Sequence, residues 1–294
     1  MGLALAAASL SLLAVSPATA APTPCADGGA CAVGDTGPGG GTVFYASATT
    51  FPCGATLAQT CNYLEAAGSE WVDTASLFPW SPSDPGLNVA ALDDTVNLSD
   101  AGNAIGAGLK ASNLIVADYG QGTTYAAGAA RAFVNTSGTP QNDWYLPTAL
   151  ELMQLCKYAN SQAQGADSDA CQPGTYRPGF SPANQNAVYW SSSEQNSGSA
   201  WFEYFDIGGI DVTSKAGGLG QNRVRPIRAG LGVASTIDDP AASSGAGSGT
   251  DAGALPNTGH SADVAGLWGA GAVTLVIAGT LILRTTRRRA LARK

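Results

Sequence analysis

The feature that most constrains this chain is its apolar run from Val264 to Leu283, 20 residues without a charge. A run of that length is enough to cross a bilayer as a helix. Arg284, Arg287, Arg288, Arg289, Arg293 and Lys294 follow it directly. Basic residues stay on the cytoplasmic side, so everything before Val264 is expected outside the membrane. The opposite end agrees. Residues 1–20, MGLALAAASLSLLAVSPATA, are apolar and uncharged, break at Pro17 and close on Ala18-Thr19-Ala20. Small residues there suit a signal peptidase, and cleavage after Ala20 is expected.

Between the extracellular bulk and the apolar run stands Leu255-Pro256-Asn257-Thr258-Gly259. Pentapeptide, apolar span and basic tail together resemble the LPxTG sorting signal of Gram-positive surface proteins. That resemblance implies that a sortase cuts between Thr258 and Gly259 and joins Thr258 to peptidoglycan. Segment 264–283 would hold the chain in the membrane until then.

Such processing reshapes the composition. Of 14 Lys and Arg, six fall after Thr258, and of 22 Asp and Glu only Asp263 does. The segment Ala21–Thr258 therefore carries 8 basic and 21 acidic side chains, net −13. That balance repels nucleic acid and anionic lipid, so no nucleic-acid partner is expected. The single histidine, His260, also falls past the cut. The mature segment then excludes Ser-His-Asp and Cys-His catalysis and His-ligated zinc or iron.

Six cysteines remain: Cys25, Cys31, Cys53, Cys61, Cys156 and Cys171. An even number on an exported chain points to disulfides. Fifteen connectivities exist. Pairing of sequence neighbours, 25–31, 53–61 and 156–171, is the expectation, each short loop contributing about 2–3 kcal/mol. No C-x-x-C spacing favours a redox or metal-thiolate site.

The organisation follows: signal peptide 1–20, a cysteine-containing segment 21–32, a domain over 33–229, a linker over 230–254 and the sorting segment 255–294. The linker is rich in Gly, Ala and Ser without an aromatic residue, too poor in apolar surface to fold. It reaches roughly 25–30 Å as a flexible chain.

Within the domain, Gly41–Ser47 reads as a strand. Asp100–Gly120 and Thr123–Asn135 read as helices, the first weakened by Gly106 and Gly108. A third helix follows Trp144, with Thr148 and Glu151 spaced as a capping box and Leu152, Leu155 and Cys156 on one face. Ala187–Ser193, Ala200–Ile207, Ile210–Ser214 and Asn222–Ala229 read as strands, with Gly208-Gly209 as hairpin material. The pattern predicts an α+β fold.

The blocks GDTGPGGGTVFYAS, YLEAAGSEW, AIGAGLKASN, DWYLPTALELMQL, VYWSSSE and NRVRPIRA resemble the successive blocks of the Lcl-C family, the C-terminal domain of Legionella collagen-like proteins. The resemblance spans Val33–Ala229. It implies a C-type lectin-like domain with a small twisted antiparallel sheet, two to three helices and long loops, and a role in adhesion or carbohydrate binding. AIGAGLKASN departs from the family's Gly-x-Gly-Lys-x-Asn run, which leaves roles for Lys110 and Asn113 unassigned.

Residue by residue, GDTGPGGG lacks the Lys-Ser/Thr of a phosphate loop and reads as a tight loop. Trp190 is either a core aromatic or a sugar platform, and Trp144 and Trp201 pose the same choice. Lys215, Arg223, Arg225 and Arg228 crowd into 14 residues. Arg223 and Arg225 would share a strand face and could fork onto a sulfated or uronic glycan, or these bases pair with carboxylates. Asp93, Asp94, Asn97, Asp167, Ser168 and Asp169 offer oxygen ligands for Ca²⁺ without a complete loop pattern. No other cofactor is expected.

The reading is therefore a wall-anchored binding module for glycans or for host or neighbouring-cell proteins. The rivals are an exported carboxylate-dependent, glycosidase-like enzyme, with Glu194 and Glu203 as nominal candidates, and a purely structural wall protein. The form recovered from cell walls is predicted to start at Ala21 and end at Thr258. Mass spectrometry that finds His260 and the arginine tail on it would refute the sorting reading.

Overall fold

A computed structural model describes residues 21–232 apart from 69–70, 72–76, 83–87, 93, 166–169, 181–186 and 216–220. The expected signal peptide and sorting segment, and the expected linker beyond residues 230–232, lie outside the described residues; Gly230 belongs to the last strand instead. Among those described, no helix is long and apolar enough to cross a membrane.

The fold is mixed α+β, with three helices and small antiparallel sheets. Strands β1 (Thr42–Cys53) and β2 (Gln59–Ala66) form a hairpin. The Cys53–Cys61 disulfide pins its tip. A last strand, β8 (Ile227–Gly230), adds to β2 and closes a three-stranded sheet in the order β1-β2-β8. Its register sets Glu65 directly opposite Arg228. A second sheet is the meander β4 (Val188–Asn196), β5 (Ser199–Tyr204) and β6 (Ile210–Ser214). Gly208 and Gly209 make the turn into β6 at φ 71° and 99°, the positive range that glycine adopts freely. A two-residue ribbon pairs β3 (Phe78–Pro79) with β7 (Gln221–Asn222). It joins the meander through the parallel bridge Tyr189–Arg223.

Helix α3 (Ala149–Ala159) starts with the capping box expected from its sequence. Thr148 Oγ1 accepts from Glu151 N, and Glu151 accepts from Thr148 N at 2.8 Å. All eleven of its residues are buried, Glu151, Gln154 and Lys157 included. One apolar face would not need that. The helix is wrapped, packing against β1, β4 and β5 with Leu152, Met153 and Leu155 in one core. Helices α1 (Gly108–Tyr119) and α2 (Ala126–Ala132) border a second core built on Trp80, Trp190, Leu146 and Phe202.

Several elements differ from the sequence reading. The helix expected from Asp100 begins only at Gly108, after a 3-10 turn at Ala101–Asn103. Gly106 sits at φ 93° and gives its N–H to Glu151 Oε1 at 2.8 Å, which ends any upstream helix. The helix expected over Thr123–Asn135 is seven residues long. Phe133 turns extended and packs edge-on between Trp71 and Trp144, at 5.4 and 5.2 Å. The strand expected over Asn222–Ala229 is broken by Pro226, which has no N–H to give a ladder, so β7 and β8 join different sheets. The β2 strand itself was not expected.

The glycine loop before β1 does form a tight loop, folded around a carboxylate. Gly41 N donates to Glu65 Oε1 at 2.7 Å and Gly39 N to Oε2 at 3.2 Å. A Cβ at Gly37 would lie 2.4 Å from Glu65 Cδ, so only glycine admits the side chain. Arg228 Nη1 reaches the same carboxylate at 3.0 Å, while its Nε and Nη2 fork onto Asp143 at 2.9 and 3.0 Å. Replacing Arg228 with Met would strand Glu65 at zero exposure. Denaturant unfolding is predicted to show a loss of about 3–5 kcal/mol, partly recovered by adding Glu65→Gln.

Candidate binding site

The basic residues singled out in the sequence are all internal. Lys215 has no exposure; its Nζ pairs with Glu194, reaches Ser197 O at 3.1 Å and lies 4.8 Å over the Trp80 ring. Arg223 is 2% exposed, and its backbone exchanges hydrogen bonds with β4 at Val188 and Trp190. Arg225 is 5% exposed; its guanidinium lies 4.8 Å over Phe180 and donates to Gly179 O at 3.3 Å. Arg223 and Arg225 are thus placed inside rather than on an open shared face. Pro226 ends the strand, and carboxylates and aromatic rings draw the cations inward, where they are worth more than in water.

The tryptophans follow the same logic. Trp190 is fully buried, donates Nε1 to Phe78 O at 2.7 Å and meets Phe202 edge-on. It is a core residue, which corrects its place as a ligand platform. Trp144 is buried, with Nε1 on Asn135 Oδ1 at 3.2 Å. Trp201 is half-buried, its Nε1 on Thr95 at 2.9 Å. Of the calcium candidates, Asp93, Asp167, Ser168 and Asp169 lie outside the described residues. Asp94 and Asn97 are exposed, and Asn97 N is turned onto Asp100 Oδ2 at 2.7 Å.

Three disulfides join sequence neighbours: Cys25–Cys31, Cys53–Cys61 and Cys156–Cys171. The last lies against Glu203, whose carboxylate is within 4.8 Å of both sulfurs. Sulfurs bonded to each other offer no thiolate to a metal. Glu194 sits elsewhere, against Lys215 and the N–H of Val89. The two glutamates share no site.

A cleft whose described lining carries no charge opens where the ribbon meets the meander. Leu77, Gln221 and Asn222 line one side; Val188, Phe202, Tyr204 and Thr213 line the other, around about 320 Å³. The fold places these groups by register. Val188 is opposite Tyr204 across β4–β5, and Asn222 is opposite Phe78 across the ribbon. Phe202 and Tyr204, two apart on β5, share one face, with ring centroids 4.9 Å apart at 78°. Asn222 is 7% exposed, and its Nδ2 has no hydrogen-bond partner among the described residues. A buried amide donor left without a partner costs free energy unless something enters the cleft to accept from it. An aromatic edge, a hydroxyl and two amides without a charge suit a neutral polyhydroxylated ligand. The i, i+2 aromatics of the sequence AWFEYFD could have signalled Tyr204, but tryptophan was the more conspicuous residue.

Residues 90–228 match the family model of the Lcl C-terminal domain. No curated protein and no solved structure matches the chain. The Lcl C-terminal domain match takes in α1 to α3, the meander, β7 and six of the seven cleft residues, Leu77 being the exception. It stops at Arg228 and leaves out β1 and β2, which the sequence resemblance included from Val33. In this chain those strands complete the sheet that β8 joins. The α+β fold is consistent with a C-type lectin-like domain.

Burial pushes the Glu203 carboxyl up to about 8, against the weaker opposing pulls of the Gly209 backbone N–H and of Lys157. Apart from that N–H, neither of its oxygens has a hydrogen-bond partner among the described residues. Between the ordinary carboxylate range and that value the folded state keeps a proton that the unfolded state releases. Its contribution to stability is therefore complete below the ordinary value and falls as pH rises to about 8. Glu203→Gln is predicted to raise the Tm at pH 9 and to leave it nearly unchanged at pH 4. Thermal denaturation across that range checks it; parallel profiles for the two proteins would contradict it.

Proposed function

We propose that this chain is an exported, wall-anchored binding protein whose lectin-like domain holds a neutral sugar in the cleft between the β3–β7 ribbon and the meander. The signal-like start, the LPNTG pentapeptide, the apolar span and the basic tail support export and sortase attachment through Thr258. The Lcl C-terminal domain match supports a lectin-like, adhesion-type role. The observation that carries the reading is the buried Asn222 Nδ2, without a hydrogen-bond partner among the described residues, beside Tyr204 in a cleft whose described lining carries no charge. Aromatic rings take the C–H faces of sugars, and amides and hydroxyls take their oxygens.

An anionic glycan fits this site poorly. The cations that would hold it are buried and engaged, and the mature segment's net charge of −13 opposes it. A glycan array probed with residues 21–258 is predicted to retain uncharged oligosaccharides. Asn222→Ala and Tyr204→Ala should each weaken the best of them by tenfold or more, with unchanged circular dichroism. Retention of sulfated or uronic glycans alone would overturn the assignment.

A further inference from the structure

A second cavity, sharing no residue with the cleft, lies between the first turn of α1 and β4 and has room for about 80 Å³. Its walls include Leu57, Leu92 and Leu114, and its polar lining residues are Thr95, Lys110, Ser192, Ser193 and Glu194. Their states differ. Glu194 is neutralised by Lys215 and held by Val89 N. Lys110 is half-buried and has no ion-pair partner among the described residues. Ser192 has no exposure, and its Oγ has no hydrogen-bond partner among the described residues. Asp94, the other charge near the Glu194–Lys215 pair, is exposed to solvent.

Helix α1 adds to this. Ala107 stands at its N-cap with no side chain to accept from the first-turn N–H groups, and Ala107, Lys110 and Ala111 all line the cavity. An uncapped helix start with a lysine in its first turn favours negative charge. The unpartnered Ser192 hydroxyl supplies a separate donor at the same place. The apolar walls ask for a hydrocarbon group on the same molecule. Since one water occupies about 30 Å³ in the liquid, only a few non-hydrogen atoms fit.

The geometry points to a binding site for a short-chain monocarboxylate, its carboxylate on Lys110 and Ser192 and its alkyl group against the leucines. Among the described residues, one positive charge without an ion-pair partner matches one carboxylate. A dicarboxylate would leave its second charge beside Glu194, and an amine would meet Lys110.

Titration of ¹³C-labelled propionate into the purified full-length chain, followed by NMR, tests this. Saturable binding is expected, weakened at least tenfold by Lys110→Met and several-fold by Ser192→Ala. Propionamide, of the same shape without the charge, is expected not to bind. That comparison uses the unaltered chain and stands even if a substitution disturbs folding. Equal binding of propionamide, unchanged affinity in a folded Lys110→Met variant, or no saturable binding of propionate would each overturn the proposal.

Discussion

The fold depends on one buried cation. Arg228 enters from β8 and is held by Glu65 on β2 and Asp143 in the segment before α3. Burial alone would lower the Arg228 pKa, but the fork onto Asp143 and the charge of Glu65 outweigh it and hold it above its ordinary value. Charges taken out of water recover their hydration only with good geometry and full hydrogen bonding. Here the geometry is supplied by register and by glycine. Strand pairing puts Glu65 opposite Arg228, and the 37–41 loop delivers two backbone N–H groups to Glu65 from the side no side chain could occupy. Arg228 also lies 6.0 Å from the Trp144 ring. Four segments far apart in sequence are thus fixed at one point.

That fixed point organises what lies beyond it. With β8 anchored on β2, the chain just before it must run from the ribbon past the meander. Pro226 makes the break, and the bridge from Arg223 to Tyr189 holds β7 against β4. The cleft between ribbon and meander is therefore a product of how the C-terminal strand is divided. The same economy of cations explains its neutrality. Within residues 21–258, eight basic side chains against 21 carboxylates leave few to spare for a surface, and Lys215, Arg223, Arg225 and Arg228 are all buried.

Much of this was legible in the residues, and the failures have causes. The α3 capping box, the Gly208-Gly209 turn and the meander strands rest on local chemistry, and the structure has them where local chemistry puts them. The start of α1 was not legible, since Gly106 gives its N–H to a glutamate 45 residues away. Strand β2 was missed because its apolar residues do not alternate: Tyr63, Leu64, Glu65 and Ala66 are buried in succession. The candidate ligand residues lie inside for a related reason. Trp190, Lys215, Arg223 and Arg225 carry conspicuous chemistry, but sequence spacing cannot tell whether a cation faces solvent or a glutamate across the core. Tyr204 and Asn222 come from strands that pair with different partners, and only the assembled sheets set them on one cleft.

The central claim is that burial of the cations leaves a neutral cleft as the binding surface. A crystal structure of residues 21–258 with the best-bound oligosaccharide tests it most directly. The account predicts a sugar ring against Tyr204 with an oxygen accepting from Asn222 Nδ2. A glycan bound instead through a sulfate or carboxylate on exposed Arg223 or Arg225, with those side chains turned out of the core, would contradict it.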